Sequence, residues 1–270
     1  LPEHGAPADA HVRHTALDLL DPEQVARTLK DARPEVAFLC AWTTEHGKFW
    51  QDTSNAAWAS ATEHLARELL DRGTRLVVGF GTCAEYDWSA SLEAGYDEGH
   101  GPFAPATAYG QAKLATAGWL ASQAPEQHLW CRIFLIHGPG ENPARVVPAV
   151  CQGLLERRPV RLGPCEQVVN LVHAEDAAAQ VMALTVSPVR GPVNLGSARA
   201  APLRDLLREL AAGTCGDSLL EFGALPARPG EPPYLVPSLE KLKRACPSLP
   251  DPILGLERTL EYWAQRLAAR

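Results

Sequence analysis

Residues 74–82 read TRLVVGFGT, and residues 83–88 continue CAEYDW. The stretch from Leu76 to Phe80 is apolar at successive positions, not at every second one. A strand with that pattern is covered on both faces. EVAFLCAW (35–42), HLWCRIFLIHG (128–138) and GPVNLGS (191–197) are runs of the same kind, and AHVRHTAL (10–17) reads as a further short strand. Helical patterns separate them. DPEQVARTLKDA (21–32) begins with Asp21 as N-cap and Pro22 in its first turn. NAAWASATEHLARELLDRG (55–73) stops at Gly73. TAYGQAKLATAGWLASQA (107–124), RVVPAVCQGLLERR (145–158), PLRDLLRELAAG (202–213) and LERTLEYWAQRLAAR (256–270) complete the set. Apolar strands alternating with helices predict an α/β fold with a parallel sheet and helices on both faces. In such sheets the ligand crevice lies at the carboxyl ends of the strands. FLCAWTTEHG, VGFGTCAEYDW and FLIHGPGE lie there, so chemistry is expected in them.

The bulk properties narrow the function. The 270 residues carry a net charge of −7, 46% hydrophobic and 21% charged residues. That suits a globular domain with a large core. No basic stripe is present to engage nucleic acid, and no apolar run approaches the roughly 20 residues that cross a bilayer. Cys40, Cys83, Cys131, Cys151, Cys165, Cys215 and Cys246 contain no C-x-x-C pair. They are expected to be free thiols in a reducing, cytoplasmic setting, without a zinc site. The sequence starts at Leu1 with a Pro/Ala/Gly-rich loop, and an N-terminal piece is expected to be absent from it.

Tyr109 precedes Lys113 by four residues inside the third helical stretch. Positions i and i+4 share a helix face, so an ammonium there could stabilise a phenolate and make the tyrosine an acid/base. Five tyrosines and five lysines produce this spacing by accident in roughly one such chain in ten. Thr82, at the end of the run that opened this section, adds a hydroxyl to orient a carbonyl or alcohol. Together the three groups suit hydride transfer to or from a nicotinamide.

The order Thr82…Tyr109-x-x-x-Lys113 on alternating strands and helices resembles the extended short-chain dehydrogenase/reductases. Within them it resembles the NAD-dependent epimerase/dehydratase group acting on nucleotide sugars. LDLLDPEQVARTL, VAFLCAW, NAAWASATEHL, RIFLIHGPGE, LVHAEDAAAQV and VNLGS resemble that group's segments in the right order. WTTEHGKFW, GTCAEYDW and GPGENPAR resemble a subgroup of 4-ketoreductases or epimerases of deoxysugar nucleotides. The resemblance implies a Rossmann-like doubly wound sheet with a small C-terminal substrate-binding subdomain. Residues 1–165 would form the cofactor region, and 166–270 mostly the substrate region. It implies Thr82, Tyr109 and Lys113 as catalytic groups. Asp18, Ala41, Trp42, Asn55, Lys113 and His137 would be contacts for NAD or NADP, with Asp18 at the adenine. Cys83, Glu85, Arg145 and Arg228 would be contacts for a nucleotide-sugar substrate, the two arginines as phosphate ligands. A homodimer is common in that family.

Departures are also visible. The family's G-x-x-G-x-x-G phosphate loop is not in the sequence. Val169-Asn170 stands in place of an Arg-Asp pair, Leu135 in place of Asn, and His137 in place of Tyr. Cys83-Ala84 replaces the Asp-Glu pair of dehydratases, which disfavours dehydration. Two alternatives stay open: a remnant that binds no dinucleotide, and an NADPH-dependent reductase of a small non-nucleotide carbonyl compound. His46 and His173 are expected to be structural. Trp42, Trp50, Trp58 and Trp88 are expected around the cleft, with Trp42 and Trp88 facing ligand.

Overall fold

A computed structural model of the chain describes residues 12–43, 45, 47–214, 216–228, 230–248 and 255–269. His46, Cys215 and the first eleven residues lie outside them. Ten strands are assigned: β1 (Val36–Leu39), β2 (Leu76–Thr82), β3 (His128–Ile133), β4 (Leu135–His137), β5 (Val160–Arg161), β6 (Val168–His173), β7 (Gly191–Leu195), β8 (Ala200–Pro202), β9 (Leu220–Glu221) and β10 (Tyr234–Leu235). The helices are α1 (Pro22–Thr28), α2 (Ser54–Asp71), α3 (Ala108–Gln123), α4 (Val146–Leu155), α5 (Ala174–Val186), α6 (Leu203–Ala212), α7 (Glu240–Ala245) and α8 (Leu256–Ala268).

The main sheet runs β1-β2-β3-β7, parallel throughout. The continuous apolar character of β2 has the physical cause expected. Leu76 and Val78 face one core with Leu184, Val193 and Leu242, while Val77 faces another with Ala66, Ala117 and Leu120. Helices α2 and α3 therefore cover one face, and α5 and α7 the other. Glycines in β2 serve a close approach: a Cβ on Gly81 would lie 2.3 Å from Nε1 of Trp130.

Two expectations need correction. Residues 12–17 form no strand, because β1 is the sheet edge and no strand pairs with its outer side among the described residues. HLWCRIFLIHG is not one strand but two in different sheets. β3 pairs with β2 and β7, whereas β4 pairs with β6 in the sheet β10-β6-β4, with β8 antiparallel to β6. Phe134 makes the hand-over. It is buried with Cys83, Tyr86, Tyr96 and Leu235, which pulls the chain out of the first sheet. The second sheet packs with α4, α6 and α8 around Leu154, Leu171, Leu206, Leu207 and Trp263.

Candidate active site at the end of β2

The site is built outward from a buried charge. Glu85 is fully buried and forms an ion pair with Arg132 at 2.6 Å. Its carboxylate also accepts from Nε1 of Trp130 (2.9 Å) and from the backbone N–H of Thr82 (2.9 Å). Thr82 in turn caps the turn Cys83–Glu85 by accepting from the N–H of Ala84. A carboxylate whose oxygens are taken by three donors is a brace, so Glu85 is turned into the protein and away from the crevice. The brace fixes the Thr82 hydroxyl at the end of the sheet.

Helix α3 delivers the other two groups. Thr107 caps it by accepting from Gly110 N–H at 3.1 Å. Gly110 lets the helix touch the turn after Thr82, since a Cβ there would lie 2.2 Å from the Ala84 carbonyl oxygen. Tyr109, half-buried, lies beside Thr82, whose hydroxyl acts on the phenol. Burial raises its pKa above the ordinary value, Cys83 and Glu85 add to the rise, and the Thr82 hydroxyl and Arg145 act against it. Lys113 is 5% exposed and donates to the Phe80 carbonyl at 2.8 Å. Its Nζ lies 3.8 Å from the Trp42 ring centroid and 5.9 Å from that of Tyr109. Burial pushes it down to about 8, with Glu85 and Cys40 opposing. A desolvated ammonium over an indole gains roughly 2 kcal/mol. Lys113 is thus seated on a carbonyl and an aromatic face, one turn from the phenol.

Aromatic rings enclose Tyr109. Phe49, Trp50 and Trp42 meet it edge-on, at 5.0, 5.8 and 6.3 Å between centroids. Trp88 packs on Trp50 and donates to the Cys83 carbonyl. Phe49 and Gln51, which accepts from Ala108 N–H, were not singled out in the sequence. KFWQ gave no periodic signal, although its density of rings was visible. Asn55 is buried and clamps this segment. It accepts from Nε1 of Trp42 (2.8 Å) and donates to the Phe49 and Asp52 carbonyls. Trp58 makes no ring contact among the described residues, so it stands apart from the cluster.

Other sequence-selected residues fall elsewhere. Cys83 is buried, its thiol pushed up to about 12 by desolvation, and it points at the Phe134 carbonyl. Arg145 pairs with Glu141 at 3.1 Å, and its charge is felt at Tyr109 and Cys83. Exposed Asp18 precedes Leu19, which with Phe38, Leu39, Cys40, Ala41, Thr62 and Leu65 lines a cavity of about 270 Å³. His137 is buried against Thr259 (2.8 Å) and His173, on the second sheet. His173 caps α5 by accepting from Glu175 N–H. Exposed Arg228 lies near Cys165. The structure therefore gathers Thr82, Cys83, Tyr109, Lys113, Trp42 and Arg145. It sets Asp18 and Ala41 by the β1 cavity, and His137 and Arg228 with other partners. No group of three His, Cys, Asp or Glu suited to a metal occurs among the described residues.

A profile of the NAD dependent epimerase/dehydratase family matches residues 2–196. The chain belongs to this family. Solved structures share its fold. A UDP-glucose 4-epimerase from Thermotoga maritima, determined with UDP-glucose, superimposes with a TM-score of 0.82 at 19% identity, covering 98% of this chain and 89% of that one. A dTDP-glucose 4,6-dehydratase from Streptomyces venezuelae, determined with NAD, gives 0.79 at 19%, over 97% and 83%. A dTDP-4-dehydrorhamnose reductase from Bacillus anthracis, in complex with NADP, gives 0.72 at 17%, over 92% and 87%. No curated protein sequence matches the chain. Among the described residues no helix is long and apolar enough to cross a membrane.

Proposed function

We propose that the protein is an NAD(P)-dependent oxidoreductase or epimerase of a nucleotide-activated deoxysugar, with Tyr109 moving the proton. The observation that carries this reading is the convergence of the Tyr109 side chain on Thr82 at the end of β2, with the buried Lys113 ammonium one turn away under the same aromatic wall.

A dinucleotide needs apolar slots for its rings, donors for its ribose and N–H groups for its diphosphate. The cavity lined by Leu39, Ala41 and Leu65 is apolar, and at about 270 Å³ it is smaller than the roughly 300–1,000 Å³ of drug-sized sites. It suits one ring, with Asp18 beside it for an exocyclic amine. Lys113 supplies donors for a ribose. For the diphosphate, these 270 residues contain no G-x-x-G-x-x-G. The residues thus fit a ring and a ribose.

When bound, the nicotinamide supplies or accepts a hydride. Tyr109, kept protonated by burial, gives its phenolic proton to the oxygen of the reacting carbon. Thr82 holds that oxygen by a hydrogen bond and is itself held by the Glu85 brace. Lys113 steadies the charge left on the phenol as the proton departs. Trp50, Phe49 and Trp42 exclude water, which strengthens each of these interactions.

Val169-Asn170 favours a second substrate class, a small carbonyl compound without a nucleotide. Asn170 donates to the Ser197 and Arg199 carbonyls, so no guanidinium stands there for a phosphate. Inhibition by nucleoside diphosphates separates the two classes: only a nucleotide-sugar enzyme shows it.

Tyr109→Phe removes the transferable proton and keeps the ring packing. Turnover should fall about 10²–10⁴-fold, while NADH affinity measured by calorimetry stays the same. Full activity in this variant removes Tyr109 from the mechanism.

A further inference from the structure

Besides Thr82, Tyr109 and Lys113, a buried carboxylate near these strand ends is incompletely paired. The loop between β4 and α4 holds Glu141 with its side chain 9% exposed and its Oε1 3.1 Å from Nε of Arg145. Its Oε2 is buried and meets no hydrogen-bond partner. A backbone N–H of Gly138 also faces the carboxyl. Arg145 occupies the N-cap of α4, its side chain is 40% exposed, and its charge reaches Tyr109 and Cys83.

A buried carboxylate oxygen without a donor is costly, and a proton on it relieves the cost. Burial pushes Glu141 up to about 7 against the pull of Arg145. The titratable groups around the Glu141–Arg145 pair come from four elements, Cys151 and His173 on the Glu141 side and Cys83 and Tyr109 on the Arg145 side. Cys151 comes from α4, Cys83 from the turn after β2, Tyr109 from α3, and His173 from the end of β6, 3.3 Å from where a Gly138 Cβ would stand. Both thiols are pushed up to about 12, Tyr109 is raised, and His173 is pushed down by desolvation. Those four stay uncharged near neutrality, so Glu141 is the group beside Arg145 that changes charge there.

The geometry points to Glu141 as a positioning residue that holds Arg145 by Nε and, through its own proton, sets how strongly Arg145 takes an oxyanion of the substrate. This rests on the reading of Tyr109 as the centre of the site. With Glu141 protonated, Arg145 keeps an uncompensated charge. With Glu141 ionised, that charge is largely cancelled. The oxyanion therefore binds more tightly on the acid side of Glu141's titration, and its binding draws a proton onto Glu141. A diphosphate and a sugar carboxylate share the required chemistry.

The test is calorimetric titration of the 270-residue chain with UDP-glucose and with UDP-glucuronate at about pH 6 and about pH 8, a range in which neither probe changes charge. Wild type should bind about tenfold more tightly at the lower pH. Glu141→Gln keeps an acceptor for Nε and carries no ionisable proton, so it should bind tightly at both. Arg145→Met should bind weakly at both. Lys113, at about 8, titrates at the upper end and is intact in Glu141→Gln, so slope surviving in that variant belongs to Lys113. Weakening of both probes by Arg145→Met assigns the diphosphate, and weakening of the uronate alone assigns the carboxylate. The full wild-type slope in Glu141→Gln, unchanged affinity in Arg145→Met, or no binding of either probe by wild type overturns the proposal. NADH titrated in the same way separates the two levels. NADH binding with a flat pH profile for the probes defeats the Glu141 role alone, whereas loss of NADH binding as well defeats the reading of the site.

Discussion

The two ends of the main sheet's carboxyl edge are built differently. At β2, a threonine, a phenol and an ammonium are held by the protein's own buried partners: Glu85 with Arg132, Trp130 under Gly81, and Asn55 behind Trp42. At β1, the expected adenine contact Asp18 is exposed, Phe38 is 41% exposed, and the strand has a neighbour on one side only among the described residues. The first end is pre-organised by packing that no ligand needs to complete. The second offers a slot and an open edge. The difference teaches that the groups proposed for proton transfer and the slot proposed for a dinucleotide are held independently, and that the former are far better secured.

The comparison breaks most sharply at Glu85. Replacing it with Ala leaves Arg132 buried without its carboxylate and frees the Thr82 turn. A loss of about 3–5 kcal/mol in urea unfolding is expected. A loss under about 1 kcal/mol would mean that the brace is not what holds the β2 end. Phe38→Ser sits at the other extreme. On an exposed edge it should change stability by no more than about 0.5 kcal/mol. A cost several times larger would mean that the β1 edge is covered in solution, and the contrast between the two ends would shrink.

Much of the fold was legible because its signals are local. Continuous apolar runs gave β2, β3 and β7, and Asp21-Pro22, Thr107 and Gly73 marked helix boundaries. The split at Phe134 was not legible, since Leu135–His137 continue the same apolar pattern and only tertiary packing sends them to another sheet. The convergence of Thr82, Tyr109 and Lys113 at one strand end was readable from spacing and resemblance together. Its supports were not. The resemblance implied a substrate contact for Glu85, yet its partners Trp130 and Arg132 lie 45 and 47 residues away on β3. Glu141 lay inside FLIHGPGE and GPGENPAR, but its importance comes from burial, which a single sequence does not reveal.

The position of Lys113 over Trp42 has an optical consequence. Three of the seven tryptophans, Trp42, Trp50 and Trp88, belong to the ring cluster around Tyr109. A positive charge 3.8 Å from an indole centroid shifts the energy of its excited state, and that charge is lost as Lys113 titrates near 8. The chain therefore carries an unlabelled optical gauge of its own site. Its emission should move as pH rises through about 8, and Lys113→Met should abolish the movement. The same emission, followed during addition of a dinucleotide, would report occupancy of the β2 end without a catalysed reaction.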